Sequence, residues 1–241
     1  MIGWGKVTVA VGAVALALSA CSAPVADPST ASSAESLAAT SIATGAEQVE
    51  FTAEVWADNW FLLTVNGVVV GEDSVPITTE RSFNAETFTF VASYPLTIAL
   101  VSNDYLENDS GLEYIGTDRQ QLGDGGLIAQ FTETATATVV AVTSSAWRGL
   151  VIHTAPLNVG CASSGQPEVD CESLIGVEPD GWAEPGFDDS TWTSATEYTA
   201  AQVGTKDGFD TIRWDPSARL IWGQSLTQDN TILWRTEVQA R

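Results

Sequence analysis

The chain has 241 residues, 31 of them acidic against nine basic, and a formal charge of −22 at pH 7. So negative a surface repels phosphate backbones and anionic headgroups, which excludes nucleic acid as a partner. It fits plain solubility and, as a second reading, calcium binding.

Residues 1–20 read as an export signal. Lys6 supplies the positive start, and Val7 to Leu18 is an apolar run shorter than the about 20 residues a spanning helix needs. Leu18-Ser19-Ala20-Cys21 resembles the bacterial lipobox, which implies that Cys21 is lipidated and becomes the first mature residue. The expected localisation is therefore exported and lipid-anchored to a bacterial membrane, at the cell surface or the periplasmic face, since several acyl chains together make a stable anchor. Residues 21–48 are rich in Ala, Ser and Thr with Pro24 and Pro28, and bury too little to offset their ordering entropy. They form the expected flexible linker. Residues 49–241 are enough for one all-β domain.

Within that domain period-two patterns dominate. Phe51, Ala53 and Val55 share one face, as do Phe61, Leu63 and Val65. Asn66-Gly67 between two apolar runs predicts a two-residue hairpin turn, because both residues accept the positive φ that a type I′ turn demands. Phe88 and Phe90 precede a Tyr94-Pro95 break, after which Leu96, Ile98 and Leu100 alternate. Further strands are expected at 127–132, 135–142, 150–154, 220–222 and 232–238. A helical apolar stripe is absent outside the signal. The expected fold is an all-β sandwich, specifically a jelly roll. Cys161 and Cys171 remain as an even pair in an exported protein, which points to a disulfide.

Several motifs bear on chemistry. Trp56, Asp58, Asn59 and Trp60 place two aromatic faces beside amide and carboxylate groups, a set that suits a sugar ring, although core packing accounts for most tryptophans. Asp118, Arg119 and Asp124 lie in a loop with Gly123, Gly125 and Gly126, where glycines let backbone approach a ligand closely; a plain flexible hairpin loop is the alternative. Asp104, Glu107 and Asp109 concentrate oxygen ligands of the kind calcium takes, without EF-hand spacing, and solvated turn residues are the alternative. Asp188 and Asp189 in the run Phe187 to Trp192 diverge as neighbours, so they close a turn more readily than they act as a catalytic pair. His153 is the sole histidine and sits in an apolar run, and no nucleophile elbow or phosphate loop occurs. No convincing catalytic constellation is present.

The runs VNGVVVGE, SSAWRGL, DGWAEPGFDDSTWTSA and LIWGQSLTQDNTILWRTEV resemble galactose-binding-like jelly rolls, in particular the accessory β-sandwich domains of bacterial α-L-rhamnosidases. Asn66, Gly67, Trp147, Gly181, Trp182 and Phe187 to Trp192 carry that likeness. The runs ADNWF, VPITTERSFNAETFTF and GLEYIGTDRQQLGDGG also resemble the region preceding the Tyr-His-Tyr-His module in bacterial YHYH-domain proteins; that module is missing here. The resemblance implies a jelly roll and a non-catalytic, carbohydrate-binding role. Two alternatives stand beside it: a structural lipoprotein docking another envelope protein, and a cryptic glycan-active enzyme using acidic residues. Fold alone does not choose among them.

Overall fold

The computed structural model describes residues 47–79 and 83–240, so the export signal, Cys21 and the linker up to residue 46 lie outside the described residues. The strands in chain order are β1 (Val49–Asp58), β2 (Trp60–Val65), β3 (Val68–Glu72), β4 (Ala85–Ala92), β5 (Leu96–Asn103), β6 (Leu112–Glu113), β7 (Gln121–Leu122) and β8 (Gly126–Glu133). They continue as β9 (Thr138–Val142), β10 (Arg148–Thr154), β11 (Leu174–Ile175), β12 (Thr193–Ser194), β13 (Thr196–Tyr198), β14 (Leu220–Trp222) and β15 (Asp229–Val238). The α-helices are single turns, α1 (Pro167–Asp170) and α2 (Ala200–Val203).

These strands form an all-β sandwich of antiparallel sheets. One sheet runs β13-β14-β8-β1-β4 with β9 on β8; the other runs β11-β10-β15-β5-β2-β3 with β12 on β10; β6 and β7 make a separate ribbon. Period two decides what lies between the sheets. Phe51, Ala53 and Val55 of β1 meet Phe61, Leu63 and Val65 of β2 and Leu96, Ile98 and Leu100 of β5 in one buried core with Trp147, Trp222 and Trp234. The hairpin turn forms where the sequence puts it, with φ of 50° at Asn66 and 76° at Gly67. Asn66 also ties the turn to the next corner, donating to the Ser93 carbonyl at 3.1 Å and accepting from the Thr97 N–H at 2.7 Å.

Both outer faces carry a second layer. Trp182 and Trp192 cover Ala99 and Leu233 on one sheet, while Phe83 and Val203 cover Trp56, Ile128 and Leu220 on the other. The Cys161–Cys171 disulfide staples the lobe between β10 and β11. Residues 135–137, expected in a strand, instead form the turn before β9, with Ala137 at φ 54°.

Candidate functional site

Four acidic side chains from four segments gather where β1 turns into β2. Asp58 ends β1, Asp104 follows β5, Glu113 lies in β6 and Asp124 sits between β7 and β8. Backbone bonds fix this corner: Asn59 N–H donates to the Asn103 carbonyl at 2.9 Å, Asp104 N–H to the Asn230 carbonyl at 2.8 Å, and Gly123 N–H to the Gly111 carbonyl at 3.3 Å. A Cβ at Gly123 would stand 1.8 Å from Asp104 Oδ2, so glycine is what lets this loop close over the Asp104 carboxylate. Gly125 and Gly126 make similar room for Trp222 and Val203, which gives the glycine-rich loop a packing reason.

Lys206 supplies the counter-charge. It follows α2, which starts at a Thr199–Gln202 capping box and ends at Gly204 with φ 72°. Its Nζ lies 3.5 Å from Asp124 Oδ2, 3.9 Å from Asp58 Oδ2 and 4.3 Å from the Phe83 ring centroid. One ammonium does not balance the cluster. Burial pushes the Asp58 carboxyl well above its usual range, and Asp124, Asp104 and Glu113 add to the shift against the pull of Lys206. Burial does the same to Asp104, helped by Glu113 and Asp124 and opposed by the Tyr105 N–H that bonds Oδ1 at 2.7 Å. For Lys206 burial acts downward, yet Asp58, Asp124 and Glu113 outweigh it and raise its affinity for its proton.

The polar atoms are also under-satisfied. Asp58 and Asn59 are fully buried, and both side-chain polar atoms of each have no hydrogen-bond partner among the described residues. Buried polar groups left so are costly, which marks this corner as a place where hydrogen-bond partners from elsewhere, both donors and an acceptor, are wanted. Asp124 and Lys206, each about one-third exposed, form its solvent-facing side.

The residues expected at a site divide sharply. Asp58, Asn59, Asp104 and Asp124 come together here, although the sequence offered them in three separate groups. Trp60 starts β2 opposite Asn103 and is partly exposed. Trp56 does not join them as a sugar platform: its ring is fully buried between Phe83, Ile128, Val203 and Leu220, with Nε1 donating to the Phe83 and Asp207 carbonyls. Asp118 and Arg119 stand exposed in the turn joining β6 and β7, where Arg119 lies 4.4 Å over the Tyr114 ring; neither acts on Asp58 or Asp104. The expected calcium trio is not assembled. Asp104 turns inward, while Glu107 and Asp109 are exposed, Glu107 taking the Tyr105 hydroxyl at 3.2 Å. Among the described residues no three His, Cys, Asp or Glu side chains are placed to hold a metal ion.

Asp188 and Asp189 part as expected: Asp188 accepts the Ser190 N–H at 3.0 Å and Asp189 pairs with Arg235 at 3.1 Å. His153 is buried with Nε2 3.3 Å from the Asp109 carbonyl oxygen. Glu113 and Lys206 were not singled out by the sequence, since a two-residue strand and a loop lysine carry no periodic signal. Comparison with family models, curated proteins and solved structures finds no match for this chain.

Proposed function

We propose that this protein is a non-catalytic ligand-binding lipoprotein whose β-sandwich takes a polyhydroxylated ligand, a glycan, at the Asp58–Asn59 corner. The observation that carries this reading is an acidic corner open to solvent at Asp124 and Lys206, behind which four side-chain atoms of Asp58 and Asn59 make no hydrogen bond among the described residues. A sugar ring is dense in hydroxyls that can donate to the accessible Asp124 carboxylate and accept from the Lys206 ammonium. Asp124 and Lys206, at the solvent-facing side, make first contact.

Desolvated carboxyls favour a second reading, acid–base chemistry on a glycan. Glycoside cleavage needs two carboxyls reaching the same bond from opposite sides. Asp58 and Asp104 are shut off from solvent, which leaves Asp124 as the accessible carboxylate and supports binding over cleavage.

Glycan-array retention of the lipid-free exported chain, with and without CaCl2, tests the reading. Lys206→Gln and Asp124→Asn should abolish retention with little change in melting temperature. A chain that retains no glycan under either condition, or that hydrolyses aryl glycosides, overturns it. The anchor is tested separately by Cys21→Ala, which should move the protein from the detergent fraction to the aqueous one.

A further inference from the structure

Six large apolar side chains in the stretch from Leu157 to Val177 stand in solvent. Leu174 is 63% exposed, Ile175 58% and Val177 87%, and Val169, Val159 and Leu157 of the adjoining lobe are 71%, 51% and 47% exposed. Leu174 and Ile175 are β11, the terminal strand of their sheet, paired on one side to Thr154 and His153 of β10. The bonds from Gly176 N–H to the Ile152 carbonyl at 2.7 Å, and from Leu157 N–H to the Glu172 carbonyl at 2.8 Å, hold the flanks of β11 against the body. The disulfide fixes the lobe that leads into it. This edge is thus ordered before any partner arrives, which lowers the entropic cost of docking.

Edge strands are normally blunted by lysine, proline or a covering element. Neither residue of β11 is of that kind, and no strand lies beyond it among the described residues. Charge then selects the partner. From Gly149 to Thr205 the sequence has no lysine or arginine, while Glu168, Asp170, Glu172 and Glu178 are interspersed with these apolar residues along the chain. A second copy would bring the same acidic residues and be repelled.

We infer that β11 is a docking edge for an extended segment of another protein in which apolar residues alternate with lysine or arginine. The segment adds a strand outside Leu174–Ile175, sets its apolar side chains on the exposed apolar residues, and pairs its cations with the interspersed carboxylates. This surface is independent of the Asp58–Asn59 corner.

Titration calorimetry on the lipid-free exported chain tests it with three acetylated and amidated eight-residue peptides: alternating valine and lysine, the same residues as a valine block and a lysine block, and alternating valine and glutamate. The alternating valine–lysine peptide should bind at least about tenfold tighter than the block peptide, and the glutamate peptide not at all. The double variant Leu174→Lys/Ile175→Lys should weaken the first peptide at least about tenfold with little change in its melting curve, because both side chains are more than half exposed. Equal binding of the first two peptides would reduce the attraction to bulk charge and overturn the inference. So would an unaffected double variant, or concentration-dependent self-association in sedimentation that the same variant removes.

Discussion

Arg235 Nε lies 3.1 Å from Asp189 Oδ2, joining the last strand to the segment that covers its sheet. Arg235 is 1% exposed, and its Nη1 also donates to the Trp182 carbonyl and, at 3.2 Å, to the Glu184 carbonyl. One guanidinium thus satisfies three acceptors and clamps the Trp182–Trp192 layer to β15. Removing one partner of such a pair costs more than the pair contributes, because the other groups lose their donor. Arg235→Met should lower stability by about 3 kcal/mol in urea denaturation, and Asp189→Asn by about 1 kcal/mol, since Asp189 is partly solvated.

A second consequence concerns the acidic corner. Any Cβ at residue 123 collides with Asp104 Oδ2, and the loop cannot withdraw without losing the Gly123–Gly111 backbone bond. Gly123→Ala should cost about 1–3 kcal/mol. Combining it with Asp104→Gly should recover most of that loss, because the colliding carboxylate is gone. A thermal-unfolding double-mutant cycle measures the coupling.

The contrast between Trp56 and Phe61 shows where the sequence is readable. Phe61 alternates with Leu63 and Val65, so period two alone assigns it to the core. Trp56 breaks the β1 alternation and looks like a surface aromatic, yet it is buried by Val203 and Leu220, residues from a distant part of the chain. The same distance hides the corner. Asp58, Asp104 and Asp124 are visible as polar residues near turns, but their convergence depends on β5, β6 and β7 arriving at one end of the sandwich, and Lys206 on a single capped helical turn. The two-residue strands β6, β7, β11 and β12 are too short to carry any period. The disulfide, by contrast, followed from counting cysteines.

Asp73 gives the protein a defined pH response. Burial raises its carboxyl to about 6, against the lowering effect of the Val75 N–H that it accepts at 2.8 Å. Its folded-state value exceeds the unfolded one, so the stabilising contribution is full below the unfolded value near 4 and is lost as pH rises through about 6. Asp58 and Asp104 shift in the same direction. Unfolding free energy should therefore fall between pH 4 and 7, by up to about 3 kcal/mol for Asp73 alone. Asp73→Asn keeps an oxygen for the Val75 N–H and should flatten this part of the profile, which urea titrations across that range would reveal.

The Cys161–Cys171 bridge closes a loop of ten-residue separation around α1. In the chain-entropy picture such a loop contributes about 2–3 kcal/mol by restricting the unfolded chain. Its second effect is local, since the lobe it closes holds few buried side chains: Cys161 and Pro167 are buried, while Val159 and Val169 are exposed. A segment with so little core depends on its cross-link for order. The Cys161→Ser/Cys171→Ser variant should lose about 2 kcal/mol in global unfolding. It should also lose hydrogen-exchange protection at Cys161, Ser164 and Cys171 well before β5 and β15 are affected. If the amides at these positions kept native protection without the bridge, the lobe would owe its order to backbone bonds alone.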